Sequence, residues 1–264
     1  PLIFYPLSTL MLAGIRDILI VVKSKDYQHY FELLGDGSSF GVTISYLFQD
    51  YAHGIPDVFI LGRDIIADYK NVCLILGDNL IYGDSMGQLL GDMTGKNHQG
   101  CSVFTYSVNN PQSYGVAYYD SDDVLVKMVE KPIDCKSPWA IIGLYVLPAD
   151  VCDRASSIIP SERNELEIVD LLESYREDGL VTSVKLGRGM AWFDAGKPAD
   201  LNAASNFVAS LQARQGAMIG CLEEVAFARG WVDVGQLSSR VDRLGNSGYA
   251  EYIRELIKNE EREK

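Results

Sequence analysis

The sequence lacks the features that mark exported, zinc-binding and membrane-spanning proteins. Its 264 residues include five cysteines, an odd number without a Cys-x-x-Cys pair. Neither a zinc site nor a disulfide framework is therefore expected, and a reducing cytoplasmic location is predicted. No signal peptide and no apolar run of about 18 residues is present, so nothing indicates export or a membrane span.

Positive charge is scarce, since the formal net charge is −13. This charge argues against a nucleic-acid backbone or an anionic membrane surface as partner. A nucleotide ligand stays possible, because one Mg²⁺ and a few local cations can reverse the field inside a cleft. The sequence also lacks a recognisable nucleophile–base pair, so a covalent mechanism is not predicted.

What is present is an alternation of strand and helix patterns. Apolar content of 47% and charged content of 22% are typical of a globular protein. Helical spacing occurs over 3–13, 25–34 and 55–66, and continuous apolar runs occur over 17–22, 42–48 and 72–76. This order predicts a layered α/β domain whose buried strands run parallel. Further strands are predicted over 100–108, 114–119, 124–129, 140–147, 181–186 and 190–193, and helices over 165–177, 201–214 and much of the tail.

Two aspartates follow predicted strands. Asp78 comes after the run 72–76, and Asp194 follows a short aromatic strand and precedes Gly196. Each aspartate alone is more typical of a turn than of a site. In open α/β sheets, however, ligands bind beyond the carboxyl ends of the strands. If both side chains point into one cleft, they could hold Mg²⁺, which prefers one or two carboxylates plus substrate phosphates.

A lysine and a glutamine occupy similar positions. Lys131, between Glu130 and Pro132, ends the strand 124–129. It could bind the phosphate of a sugar phosphate while Glu130 accepts hydrogen bonds from sugar hydroxyls, although a surface ion pair explains it equally well. Gly115, after Tyr114, allows a ligand to approach the backbone. Gln49 ends another strand, and its amide could read a pyrimidine edge with one donor and one acceptor.

At these residues the chain resembles the sugar-nucleotide pyrophosphorylases, in particular the glucose-1-phosphate thymidylyltransferases, over nearly its whole length. Several motifs in the same order carry the resemblance. They are the stretch 3–15, Leu34-Gly35-Asp36-Gly37, Leu76-Gly77-Asp78-Asn79, Tyr114-Gly115-Val116, Glu130-Lys131-Pro132, Gly143-Leu144-Tyr145, Glu165-Leu166-Glu167-Ile168, Trp192-Phe193-Asp194 and Glu223-Glu224-Val225-Ala226-Phe227.

The resemblance implies a fold and a reaction. The fold is α/β, with a Rossmann-like, mostly parallel sheet flanked by helices. A core over 1–208 would contain a sugar-binding part at about 110–195, and 209–264 would form a helical extension. The reaction joins dTTP and glucose 1-phosphate into dTDP-glucose and pyrophosphate, with Mg²⁺ as cofactor and a homotetramer as the assembly.

The same resemblance implies roles for individual residues. Asp78 and Asp194 would bind the metal, and Lys131 would neutralise phosphate. Substrate contacts are implied for the following residues: Gln49, Gly54, Asn79, Tyr114, Gly115, Glu130, Ile142 and Trp192.

The sequence departs from the family in two main places and, more mildly, at Ala195, where a threonine is common. Family members carry a first strand and a loop of the form Gly-Gly-x-Gly-Thr-Arg-Leu-x-Pro-x-Thr ahead of the point where this sequence begins. We expect that the sequence is incomplete there; a truncated paralogue is the alternative. Without that inner strand, its two neighbours would keep unpaired edges.

Second, Pro56 and Asp57 stand where the family usually has Ala-Gln, next to the expected base site. These departures leave open a catalytically silent, sugar-nucleotide-binding or regulatory subunit.

Overall fold

The computed structural model describes residues 1–95 and 100–263. The helices in this part of the chain are α1 (Phe4–Leu12), α2 (Tyr27–Leu34), α3 (Asp57–Leu61), α4 (Arg63–Ile66), α5 (Met86–Gly95), α6 (Val151–Ser157), α7 (Ile168–Glu177), α8 (Pro198–Gln215), α9 (Leu222–Ala228), α10 (Val234–Leu244) and α11 (Gly248–Glu263). The strands are β1 (Asp17–Val22), β2 (Thr43–Phe48), β3 (Asn71–Ile75), β4 (Asn79–Tyr82), β5 (Cys101–Ser107), β6 (Gly115–Tyr119), β7 (Leu125–Glu130), β8 (Trp139–Pro148), β9 (Val181–Lys185) and β10 (Ala191–Asp194).

The α/β class is confirmed, and most predicted elements lie within a few residues of their expected bounds. Two predicted helices differ. The helix expected over 55–66 is divided into α3 and α4 at Gly62. The helix expected from residue 165 begins at Ile168, because Glu167 has extended backbone angles of φ −86° and ψ 133°. β4, α5 and α6 are not predicted from the sequence.

The strands pair in a less parallel way than the sequence suggests. β8 is the centre of the largest sheet and has β3, β5 and β6 as antiparallel neighbours. Among the described pairings, β1 with β2 and β5 with β9 are parallel. The expectation of a mostly parallel sheet is therefore corrected for the described residues. Long-range pairing decides strand direction, and apolar runs alone cannot show it.

The C-terminal helices cover the first two strands. Leu237, Val241 and Ile253 share one buried cluster with Leu7 of α1 and Ile20 of β1. The division of the chain at residue 208 stays a prediction, and α8 runs continuously through that position. Over residues 1–95 and 100–263, no helix combines the length and apolarity that crossing a membrane requires.

A cavity of about 840 Å³ is lined by both β1 and β3. In the described part of the chain, β1 pairs with β2 and β3 pairs with β8, and neither has a partner on its other edge. Each of these two strands therefore has one edge without a described partner. Ile20 of β1 and Cys73 of β3 are among the residues that face the cavity. The cavity wall also includes Gln49, Gly54 and Gly77, so it extends toward the predicted site residues.

Candidate active site

Asp78 and Asp194 lie side by side. β10 pairs antiparallel with β4, and this pairing sets Asp194 opposite Asn79, the neighbour of Asp78. The Ala195 N–H donates to the carbonyl oxygen of Asp78 at 2.9 Å. A Cβ placed on Gly196 would lie 3.1 Å from both Asp78 Oδ2 and Asp194 Oδ1. The structure thus brings together the two predicted metal ligands, more than a hundred residues apart in sequence.

The electrostatics of this pair suit a cation. Burial raises the pKa of Asp194, and the charges of Asp78 and Asp200 raise it further, against the Gly196 N–H and Lys197, which lower it. Two carboxylates that disfavour each other's charge are stabilised by a divalent ion between them. Within the described ranges no group of three or more metal-ligating side chains occurs. A metal here would therefore complete its coordination with substrate phosphate and water, as Mg²⁺ commonly does.

Asn79 is committed to the protein framework. It is buried, and its Nδ2 donates to Asp78 Oδ1 at 2.9 Å. Its Oδ1 accepts from the Trp192 Nε1–H at 2.7 Å and from the Gly143 N–H at 3.2 Å. Asn79 therefore orients the Asp78 carboxylate, a role that the sequence did not reveal. Its contact with the sugar stays a prediction.

Trp192 and Tyr114 form an aromatic wall beside the carboxylates. Their ring centroids are 5.1 Å apart in an edge-to-face arrangement. Burial raises the pKa of the Tyr114 phenol, and Asp194 and Asp200 raise it further. Tyr114 therefore stays a neutral hydrogen-bonding group near Asp194. Ile142, by contrast, is fully buried in β8 and offers no surface to a ligand in this structure.

Lys131 is held in an unusual backbone conformation. Its φ is 41°, in the left-handed region that lysine rarely adopts. Its N–H donates to the Tyr114 carbonyl at 3.0 Å, and its Nζ lies 3.2 Å from Glu130 Oε1. Gly115 is opposite Glu130 in the β6–β7 register. A Cβ on Gly115 would lie 3.4 Å from Glu130 Oε2 and 2.7 Å from Val169, which explains the glycine.

Arg163 is a component of the site that the sequence analysis did not identify. Its Nη2 lies 3.4 Å from Glu130 Oε1 and 2.8 Å from Glu167 Oε2. The buried Glu167 also accepts from the Ser161 hydroxyl at 2.6 Å. Glu130 thus has two cations beside it, Lys131 and Arg163. The sequence offered only an indirect signal, the Glu165-Leu166-Glu167-Ile168 motif that follows Arg163.

The segment containing Glu167 also holds the predicted base site. Gly54 bridges to Leu166, whose N–H donates to the His53 carbonyl at 2.8 Å. Gly54 has a φ of 98°, and a Cβ there would lie 2.0 Å from the Leu166 carbonyl oxygen. Only glycine allows this approach. Gln49 Nε2 donates to the Gly54 carbonyl at 3.1 Å.

A continuous path of contacts therefore joins the predicted residues. It leads from the carboxylate pair through Asn79, Trp192 and Tyr114 to Lys131 and Glu130. From Glu130 it continues through Arg163 and Glu167 to Leu166, Gly54 and Gln49. Such a path could place a base near Gln49, a sugar phosphate near Lys131 and Glu130, and a cation at the carboxylate pair.

The chain is similar in sequence to known proteins. The nucleotidyl transferase family matches residues 1–211. Over 98% of this chain and 89% of the relative, the sequence is 42% identical to glucose-1-phosphate thymidylyltransferase of Neisseria meningitidis.

Solved structures give the same result. The chain is similar to a Bacillus anthracis protein assigned as a glucose-1-phosphate thymidylyltransferase and solved in complex with a sucrose. The TM-score is 0.71 and the identity 30%, covering 78% of this chain and 82% of that one. A UDP-glucose pyrophosphorylase complexed with UDP-glucose gives a TM-score of 0.67 at 25% identity, covering 80% and 87%.

Proposed function

Since this chain belongs to the nucleotidyl transferase family, we propose that it transfers a thymidylyl group from dTTP to glucose 1-phosphate, giving dTDP-glucose and pyrophosphate. The observation that carries the proposal is the adjacent pair Asp78 and Asp194, linked by contacts to Lys131 and Glu130. The similarity to thymidylyltransferases over 98% of the chain supports the same substrates.

Asp78 and Asp194 are proposed to hold Mg²⁺. The donor set fits, because both groups are carboxylates and the charge of Asp78 helps to raise the pKa of Asp194. When bound, the ion would offset charge on the phosphate oxygens and on the leaving pyrophosphate. Asn79 keeps Asp78 oriented by donating to its Oδ1 at 2.9 Å.

The other residues are proposed to place the two substrates. Lys131 neutralises the phosphate of glucose 1-phosphate, and Glu130 accepts hydrogen bonds from sugar hydroxyls. Gly115 leaves room for the sugar beside Glu130, because a side chain there would approach the carboxylate. Gln49 and Gly54 contact the base.

With both substrates held, an oxygen of the sugar phosphate attacks the α-phosphorus of the nucleotide in line. The bond from that phosphorus to the bridging oxygen breaks, and pyrophosphate leaves with the electron pair. Catalysis then consists of positioning and charge stabilisation, without a covalent enzyme intermediate. The resemblance also supports a homotetramer in the cytoplasm as part of the proposal.

The test is pyrophosphate release from dTTP plus glucose 1-phosphate with and without Mg²⁺. We expect metal-dependent release by the wild type and a loss of at least about a hundredfold in Asp194→Asn, because one of two metal ligands is removed. Asp122→Asn, in an exposed turn, is the matched control and should keep full activity. Full activity of Asp194→Asn would contradict the site assignment, and no turnover by the full-length wild type would contradict the reaction.

A further inference from the structure

The amide of Gln49 is held in one orientation by two acceptors. Its Nε2 donates to the Gly54 carbonyl at 3.1 Å and to Asp57 Oδ2 at 2.9 Å. A glutamine amide has two N–H donors and one carbonyl acceptor. A backbone carbonyl and a carboxylate can only accept, so both must face the nitrogen. The amide therefore cannot flip without placing its oxygen against two other oxygens.

The surroundings hold this arrangement in place. The Gln49 N–H donates to the Val22 carbonyl at 3.0 Å, which ties the residue to the end of β1. Gly54 is fixed by its bridge to Leu166. Asp57 is the first residue of α3, its side chain is 13% exposed, and its Oδ2 lies 3.6 Å from His53 Nδ1. Both acceptors of the Gln49 amide, the Gly54 carbonyl and the Asp57 carboxylate, thus belong to residues with further contacts of their own.

We propose that Asp57 is a specificity-determining residue that occupies the second donor of Gln49 and leaves Oε1 as the group this side chain offers to a base. Within the described residues, Oε1 receives no hydrogen bond from the protein, and Gln49 lines the 840 Å³ cavity. The inference rests on the proposed function, since it takes a nucleotide base as the ligand beside Gln49.

The chemistry of the ligand follows from the remaining acceptor. Thymine and uracil carry an N–H at ring position 3, between two carbonyl groups. Oε1 can accept from this N–H, whereas no donor of Gln49 is left for the carbonyl at position 4. The Gln49 side chain thus hydrogen-bonds to the base at position 3 and makes no hydrogen bond at position 4. From the sequence alone, Gln49 is expected to offer the base one donor and one acceptor.

Two variants of Asp57 separate hydrogen bonding from charge. Asp57→Asn and Asp57→Ala both remove the negative charge, but asparagine keeps an oxygen that can accept from Gln49 Nε2. Asp57→Ala frees one N–H of Gln49 for the carbonyl at position 4. A newly formed neutral hydrogen bond corresponds to a change in affinity of about two- to tenfold.

The experiment measures, by calorimetry on the full chain, the dissociation constants of dTTP and of 4-thio-dTTP, in which a weaker acceptor replaces the oxygen at position 4. We expect the wild type and Asp57→Asn to bind both nucleotides within about twofold. Asp57→Ala should favour dTTP over 4-thio-dTTP by about two- to tenfold. In the ligand-free protein, the Nε2 proton resonances of Gln49 should move in Asp57→Ala and much less in Asp57→Asn.

The other outcomes are informative in different ways. Equal ratios in all three proteins, or the same change in both variants, would overturn the role of Asp57 and leave the proposed function standing. Failure of the wild type to bind dTTP would overturn the proposed function, and the inference with it.

Discussion

At the scale of single residues, Asn79 shows how a side chain next to a ligand can act through the protein. Its amide joins the β8 backbone, the indole of Trp192 and the carboxylate of Asp78. It is 2% exposed, so water cannot replace these hydrogen bonds. The position of Asp78 therefore depends on a residue buried behind it.

Asn79→Leu should cost about 2–4 kcal/mol of unfolding free energy, because the Trp192 Nε1–H and the Gly143 N–H lose their acceptor while buried. Trp192→Phe is the matched control, since it removes one of those donors together with its need for a partner. Urea denaturation measures both variants. A loss in Asn79→Leu no larger than in Trp192→Phe would contradict this account of Asn79.

Some residues of the candidate site were predicted from the sequence and others were not, for a physical reason. Asp78, Asp194 and Lys131 were recognisable because each is at or just beyond the end of a strand. Arg163 was not, because its partner Glu130 is 33 positions away and no local spacing indicates the pair. Burial of Ile142 likewise depends on the neighbours that β8 acquires in the folded sheet.

At the scale of elements, the contact between Gly54 and Leu166 connects the loop after β2 to the segment before α7. The segment 165–167 lies outside any helix, although the sequence predicts helix there; Leu166 forms an isolated bridge and Glu167 has extended backbone angles. A tertiary partner overrode the local helical preference, since Leu166 hydrogen-bonds to His53. The same limit explains why β4, a strand of four residues that depends on β10, was missed.

Gly54→Ala should destabilise the protein by at least about 2 kcal/mol more than Gly179→Ala. Both glycines have positive φ, so both variants carry the strain of a left-handed alanine. Only at Gly54 does a Cβ meet backbone, 2.0 Å from the Leu166 oxygen, while nothing lies within 4 Å of it at Gly179. Thermal unfolding of the two variants tests this. Equal losses would show that the loop contact adds nothing to stability.

At the scale of the whole molecule, the net charge of −13 offers little positive potential to offset a partly buried carboxylate such as Asp194. Burial and Asp78 raise the pKa of Asp194 in the folded chain. Protonated Asp194 therefore adds to the free energy of unfolding, and this stabilisation is fully present at pH values below the pKa that Asp194 has in the unfolded chain. It is lost as the pH rises through the higher pKa that Asp194 has in the folded chain. Above that pH, the proposed divalent ion would relieve the repulsion.

Mg²⁺ at ten times its dissociation constant should stabilise the fold at pH 7.5 by about 1.4 kcal/mol, or about 3–6 °C in melting temperature. At pH 4, where a proton competes for Asp194, the increase should shrink. Differential scanning fluorimetry measures both conditions, with Asp194→Asn as the variant expected to lose the response. An equal increase in that variant would place the ion elsewhere.

The left-handed backbone of Lys131 has a consequence for the entropy of the proposed reaction. A lysine on an ordinary strand end can point in many directions, and a substrate must restrict it on binding. At φ 41°, with its N–H bound to Tyr114, the start of this side chain is already directed before any ligand arrives. Part of the restriction is thus imposed during folding, so less freedom remains to be lost at the moment of nucleotidyl transfer.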